Sequence, residues 1–271
     1  MLRRMDVAAF KEGQKTVWSL GEFADIAFMI RSASDTVIEK AGVSSGDKLL
    51  DVACGTGNLA IPAAQRGANV TAMDITPKLL ERAKAEAAEF GLEIDFSEGD
   101  AEALVYPDDS FDKTISVFGM IFAPQHELAA SEMERVTRPG GTVAITAWTT
   151  SGMNGSLFKV MAKHMAMPDD MPSAADWGEE SYVEQQFKDE IDWSFSREIV
   201  TFRSDSVEDW IAYNELKLGP MVMAKAALEP QGKWDALRAD LAEHYERFNV
   251  STDGRFAGEA EYLLAVGTLP G

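Results

Sequence analysis

Apolar positions along this chain change period several times, and the changes mark out alternating helices and strands. The first 45 residues carry Val7, Phe10, Val17, Trp18, Phe23, Ile26, Met29 and Ile30 at mixed helical spacing, interrupted at Gly13 and Gly21. A further helix is expected from Ser34 to Ala41, stopped by Gly42. The pattern then turns to short apolar runs. Leu49 to Ala53, Asn69 to Met73 and Glu93 to Phe96 read as strands, with helices over Asn58 to Arg66 and from Pro77 to Gly91 between them. Phe111 to Val117 and Thr142 to Trp148 read as the fourth and fifth strands, separated by a helix from His126 to Arg138. Strands that alternate with helices fold as a parallel, doubly wound α/β sheet, because each parallel pair needs a crossover long enough to hold a helix.

Beyond Trp148 the rhythm is lost. A methionine-rich helix from Leu157 to Met167, then Pro168 and Pro172, then a short helix over Ser181 to Phe187 make too long a stretch for a simple connection. Residues 149–192 are therefore expected to form an ordered insertion or lid. A strand from Phe195 to Phe202, a helical stretch from Ser206 through Phe248 and a last strand near Tyr262 to Gly267 follow. The chain divides on this pattern into N-terminal helices (1–45), a ligand-binding core (46–148), the insertion (149–192) and a segment that completes the sheet (193–271).

Composition narrows the partners. With 25 basic against 45 acidic residues the formal net charge is −20, which argues against nucleic acid, since phosphate binding needs a basic stripe. No apolar run approaches the roughly 18 to 20 residues of a membrane span. The single cysteine, Cys54, has no internal disulfide partner, and the N-terminus has no continuous apolar segment of the signal-peptide kind, so a cytoplasmic setting is expected. His126, His164 and His244 are not spaced with other ligands as a metal site requires, so no metal is expected.

The candidate chemistry sits where the first strand ends. Asp51 precedes a glycine-spaced turn, Gly55-Thr56-Gly57-Asn58-Leu59-Ala60, whose glycines let the backbone bend sharply and approach a ligand. The following helix points its free N–H groups at the same spot. Asp74 ends the second strand, where a carboxylate can accept from both hydroxyls of a ribose, and Asp100 follows the third. The turn with Asp74 also satisfies a dinucleotide fingerprint, so an NAD(P)-dependent oxidoreductase is an alternative. Against it stand Asp51, which repels a pyrophosphate but suits an ammonium or sulfonium group, and the absence of a second nucleotide-binding half after the fifth strand.

Five stretches in order, Leu50 to Gly57, Asp74, Gly99-Asp100-Ala101, Ser110-Phe111-Asp112 and Arg135 to Gly141, resemble the motifs of class I S-adenosylmethionine-dependent methyltransferases. The ubiquinone/menaquinone-methyltransferase-like branch is the nearest in appearance. The resemblance covers about Gly46 to Trp148 and fades afterwards. It implies a seven-stranded, mainly parallel sheet whose last strand is antiparallel, with N-terminal helices folded over the cofactor and Trp18 against it. It implies that Gly55 and Gly57 wrap the methionine part of S-adenosyl-L-methionine, Asp51 sits near its amino group and Asp74 holds the ribose. Ile75 would pack on the adenine with Asp100 and Ala101 at its edge, and the backbone at Ser116 and Val117 would touch the amino-acid end. Ala53 stands where the family has its first glycine.

Methyl transfer from a sulfonium to a small-molecule acceptor is an in-line displacement, in which the protein positions the acceptor and excludes water. His126, after the fourth strand, is the candidate general base, with a capping role at the start of its helix as the alternative. His164 is read as a lid-surface residue and His244 as solvated. Phe10, Trp18, Phe118, Met120, Phe122, Trp148 and Trp177 are candidates for an apolar wall over the acceptor, or else ordinary core. Met161, Met165 and Met167 suggest an adaptable lid and an apolar acceptor. A protein that binds the cofactor without catalysis is the third reading.

Overall fold

The computed structural model describes residues 6–165, 171–188 and 190–271. Three helices lead the chain: α1 (Val7–Ser19), α2 (Phe23–Met29) and α3 (Arg31–Lys40). Asp6 starts α1, its side chain accepting from the Ala9 amide at 3.1 Å. The core follows as β1 (Lys48–Val52), α4 (Ala60–Gln65), β2 (Asn69–Asp74), α5 (Pro77–Glu89), β3 (Asp95–Glu98), β4 (Phe111–Val117), α6 (His126–Val136) and β5 (Thr137–Trp148). After it come α7 (Met153–His164), a 3-10 turn (Ala174–Gly178), α8 (Glu180–Gln186) and β6 (Asp192–Ser204). The chain closes with α9 (Val207–Lys217), α10 (Gly219–Leu228), α11 (Trp234–Arg247) and β7 (Phe256–Thr268).

The seven strands form one sheet in the order β3-β2-β1-β4-β5-β7-β6. The first five are parallel, and β7 runs antiparallel to both of its neighbours, β5 and β6. Leu49, Leu50 and Val52 of β1, Ile115 of β4, Val143 and Ile145 of β5 and Leu263 and Leu264 of β7 are buried at the centre of this sheet. Buried on both faces, such strands read as unbroken apolar runs, and each fully buried Leu or Ile contributes about 1.5 to 3 kcal/mol. Strand order reverses between β1 and β4, so the crevice above their carboxyl ends is the natural ligand site of this sheet.

Several boundaries differ from those the pattern suggests. The helix after β4 stops at Val136, because Thr137 is already paired with Phe111 and Pro139 follows; β5 therefore starts five residues before the expected Thr142. The third strand is displaced from Glu93–Phe96 to Asp95–Glu98. The insertion helix begins at Met153 and ends at His164, with Met165 as its cap, while Met167 and Pro168 lie outside the described residues. The stretch from Ser206 to Phe248 is three helices, broken where Pro220 opens α10 and where Gly232 takes a left-handed φ of 66°. The last strand is twice the expected length: it runs beside β6 from Ser204 paired with Phe256 to Asp192 paired with Thr268.

Candidate cofactor site

The glycine turn is held from below by two carboxylates. Asp51, at the penultimate position of β1, is buried and its Oδ2 accepts from the Ala60 amide at 2.9 Å, fixing the first residue of α4. Asp74, at the end of β2, accepts from the Gly55 amide through Oδ2 at 2.8 Å and from the Thr76 amide through Oδ1, also at 2.8 Å. Burial pushes the Asp51 carboxyl well above its ordinary range, against the Ala60 amide and with the help of the Asp74 charge. Burial also raises Asp74, opposed by the amides of Thr76 and Gly55. The hydrogen bonds to the two carboxyls come from backbone amides, and no ion pair among the described residues reaches either. A site of this kind favours a ligand that brings positive charge.

The backbone above these acids is strained. Gly55 and Gly57 have φ of 55° and 85°, and Ala53, which is not a glycine, has φ of 56°. Phe118, just past β4, is also left-handed with φ of 58°. Its amide donates to Thr146 Oγ1 at 3.0 Å and its ring stacks on Trp148 at 4.0 Å between centroids, which hold it there. Ala53 and the residue after Phe118 meet: a Cβ on Gly119 would collide with the Ala53 carbonyl oxygen and lie 2.6 Å from the Ala53 Cβ. The left-handed Ala53 thus abuts the residue that follows the left-handed Phe118, across the reversal of strand order. Strain in such a place accompanies binding function. Since Ala53 carries a left-handed conformation that glycine adopts freely, Ala53→Gly is expected to raise stability by about 0.5 to 1 kcal/mol, read as a higher urea midpoint.

A cleft of about 550 Å³ opens at the carboxyl ends of β2 and β3, lined by Ala8, Lys11 and Lys15 of α1, Ile75 after β2, and Glu98 and Asp100 at and just past the end of β3. Ile75 and Asp100 are thus brought to one wall, and Ala101 adjoins it in sequence. Trp18 lies at the other end of α1, with its ring edge-on to Phe23 at 5.2 Å and to Phe122 at 4.9 Å. Phe23 in turn comes within 3.7 Å of where a Gly55 Cβ would be, so the N-terminal helices cover the turn. Ser116 is fully buried; its hydroxyl donates to the Val52 carbonyl at 2.7 Å and accepts from the Met120 amide at 3.0 Å. It ties β4 to β1, and Val117 follows it half-buried.

The other candidates separate. Phe118, Met120, Trp148 and Trp177 are buried core, whereas Phe10, Trp18 and Phe122 remain half-buried. Phe158 of α7 joins Phe122 at 6.2 Å, an extension of the wall that sequence spacing did not suggest. His164 Nε2 is 3.0 Å from Asp240 Oδ2, which pins α7 to α11. His244, expected to be solvated, is buried with Nε2 2.9 Å from the Met153 carbonyl, because α7 packs across that face of α11. His126 is 4% exposed. Its Nδ1 lies 2.7 Å from the Tyr182 hydroxyl and its ring donates to the Ile121 carbonyl, so its hydrogen bonds are made inside the protein. The described residues contain no cluster of three or more metal-ligating side chains.

A seven-stranded sheet in this order, with a glycine turn at its reversal point, is the Rossmann-like methyltransferase fold. A putative methyltransferase from Bacillus halodurans shares it with a TM-score of 0.61 at 22% identity, over 89% of this chain and 100% of that one. Residues 49–141 match the methyltransferase domain family. That match covers about a third of the chain, the segment in which the five motifs lie. An uncharacterised protein of Mycobacterium tuberculosis is 40% identical over 171 residues, 62% of each chain, so this chain spans about three-fifths of that relative's length. Demethylmenaquinone methyltransferase of Thermus thermophilus is 39% identical over 117 residues, 42% of this chain and 51% of that protein.

Proposed function

We propose that this protein is an S-adenosylmethionine-dependent methyltransferase that acts on a small, partly apolar acceptor. The observation that carries the reading is the pair of buried acids, Asp51 and Asp74, held by backbone amides and joined in no ion pair among the described residues. They hold a turn of left-handed backbone, and the cleft that Ile75, next to Asp74, lines has a volume ordinary for small-molecule sites. These features fit the cofactor. Gly55 and Gly57 would hold its methionine part, with Asp51 near the amino group and the backbone of Ser116 and Val117 at that end. Asp74 has lone pairs left for two ribose hydroxyls after accepting from two amides. Ile75, Asp100 and Ala101 would meet the adenine.

When bound, the cofactor supplies an electrophilic methyl group on a sulfonium. The chain's own residues position the acceptor and keep water out, and the half-buried rings of Trp18, Phe122 and Phe158 are placed for that work. Supporting the apolar character of the acceptor, the half-buried side chains there, Phe122, Leu157, Phe158 and Met161, are aromatic and aliphatic. No helix among the described residues is long and apolar enough to cross a membrane, and a cytoplasmic location is part of the proposal.

Ligand-induced stabilisation tests the cofactor. S-adenosylhomocysteine at 100 times its dissociation constant is expected to add about 2.7 kcal/mol of stability and NAD none. Stabilisation by NAD alone would establish the oxidoreductase reading instead. Labelled S-adenosylmethionine offered with phenols, quinols and prenyl compounds then separates an enzyme from a silent binder.

His126 tests a second part of the reading. Its partners Tyr182 and Ile121 suit a latch between α6 and α8 better than a base facing the acceptor. Burial holds its pKa down at about 4, from an ordinary 6.5, against the Ile121 hydrogen bond. The folded protein therefore refuses a proton that the unfolded chain accepts, and stability contributed by neutral His126 is lost as pH falls from 6.5 towards 4. The loss approaches about 3 kcal/mol over that window. In His126→Gln, the fall of urea midpoint with decreasing pH is expected to be shallower, with transfer rate per folded molecule unchanged. A large drop in that rate at constant cofactor affinity would restore the general-base role.

A further inference from the structure

The acids that end β3 are already in use. Asp100 Oδ2 lies 2.6 Å from Lys11 Nζ, and its Oδ1 accepts from the Glu102 amide at 2.9 Å. The same ammonium group also reaches Glu102 Oε2. Glu102 is a buried carboxylate, its side chain 1% exposed, and it takes two further hydrogen bonds, from the Gln125 backbone amide at 2.6 Å and the Gln125 side-chain amide at 2.7 Å. One turn further along α1, Lys15 pairs with Glu98 at 3.1 Å. These contacts join α1 to the loop after β3 and to the residue that precedes α6. They span the cleft that Ile75 and Asp100 line.

Packing holds only the other end of the helix. Val17 is the one buried residue of α1, and it lies in the last turn. There the carbonyl of Val17 comes against Gly219, at the start of α10, so closely that a Cβ on that glycine would collide with it. Gly21, left-handed at φ of 65°, then turns the chain against Lys217 and Leu218. The first two turns of α1 have no buried apolar residue, and Ala8, Lys11 and Glu12 from them, with Lys15 of the third turn, form one wall of the cleft. An element bound by few buried contacts opens at low cost, so the ion pairs decide how often this one does.

We propose that α1 is a hinged lid over the cofactor cleft and that Lys11 is its latch, with Glu102 as the buried anchor and Asp100 as the arm that a ligand's donor takes over. The proposal rests on the cleft being the cofactor site. Lys11 already donates to Asp100 Oδ2 while the lid is shut, and a ligand amine that joins it on this carboxylate shares the oxygen and weakens that arm of the latch. Glu102 keeps the ammonium while Asp100 turns to the ligand, and the lid closes over what has entered. Lys11 is a positioning residue in this scheme. It shapes residence time and access, and takes no part in bond making.

Amide hydrogen exchange of α1 and the dissociation rate of S-adenosylhomocysteine test the latch together, in wild type, Lys11→Met and Lys11→Arg. Lys11→Met is expected to speed exchange of the Ala9 to Gln14 amides about tenfold and to speed dissociation by a similar factor, while amides of α9 stay unchanged. Lys11→Arg keeps the cation and is expected to restore both. Unchanged α1 exchange in Lys11→Met overturns the latch, as does equal acceleration in the two variants. Faster exchange with unaltered dissociation overturns the gating of the ligand. If wild type fails to bind S-adenosylhomocysteine, the cofactor reading falls, and the exchange measurement still decides whether Lys11 closes α1.

Discussion

Replacing Asp74 by alanine is expected to cost about 2 to 4 kcal/mol of stability even before any ligand is added. Two amides, those of Gly55 and Thr76, donate to this one carboxylate, and the residue is buried, so its loss strands two donors away from water. Each stranded buried donor costs about 1 to 3 kcal/mol. Asparagine does not repair the site, because its amide nitrogen would face an N–H where an oxygen is needed. Chemical denaturation of Asp74→Ala checks the first effect, and calorimetry with S-adenosylhomocysteine checks the second, a loss of cofactor affinity beyond what unfolding explains. An unchanged urea midpoint would refute the structural account; full affinity in the folded variant would refute the ribose role.

Gly119→Ala is expected to have the next largest effect. The added methyl would collide with the Ala53 carbonyl oxygen and stand 2.6 Å from its Cβ, while the Gly119 backbone itself, at φ of −94°, tolerates any residue. The cost is therefore steric, about 1 to 3 kcal/mol of overpacking. It falls on the contact between the turn after β1 and the turn after β4, so cofactor affinity is expected to drop with stability. Ala53→Gly in the same molecule removes the Cβ half of the clash, and a double-mutant cycle is expected to show coupling between the two sites. Additive effects would mean that the two turns do not meet as described.

How much of this was legible in the sequence depends on range. Strand β4 was readable residue for residue because Ile115 and Val117 alternate with polar neighbours, flanked by Phe118 and preceded by the loop with Pro107, Asp108 and Asp109. The same logic misplaced β3, whose Asp95–Glu98 is polar at both ends; its register is set by pairing with Thr71 to Asp74, which periodicity does not see. The start of β5 was hidden for a related reason. Thr137 and Arg138 continue a helical pattern, and only their neighbours across the sheet declare them extended.

The candidate site divides in the same way. The glycine turn, Asp51 and Asp74 announce themselves by local spacing. Gly119 does not, although a glycine directly after the apolar end of a strand was the available signal, and its reason is an atom of Ala53, far away in sequence. The Lys11, Asp100 and Glu102 contacts are equally silent, since charges paired across most of a domain leave no periodic mark. His126 is read from the other direction. Its position after β4 suggested chemistry, but whether an imidazole faces a ligand or its own protein depends on Tyr182, in a segment whose sequence gave no hint of docking there.

Strand β7 carries a consequence for how the molecule is made. It lies between β5 and β6, and β6 has no other partner in the sheet. During synthesis β6 and the helices α9, α10 and α11 leave the ribosome ahead of the strand that joins them to β5. Until residues 256–268 emerge, a thirteen-residue strand waits with its backbone unpaired. Such long-range closure is slow and leaves the edge of β5 open to other chains. Completion of the sheet thus waits for a strand translated after the other six, and a nascent chain that stalls before Phe256 would hold a five-stranded core with an unfinished border.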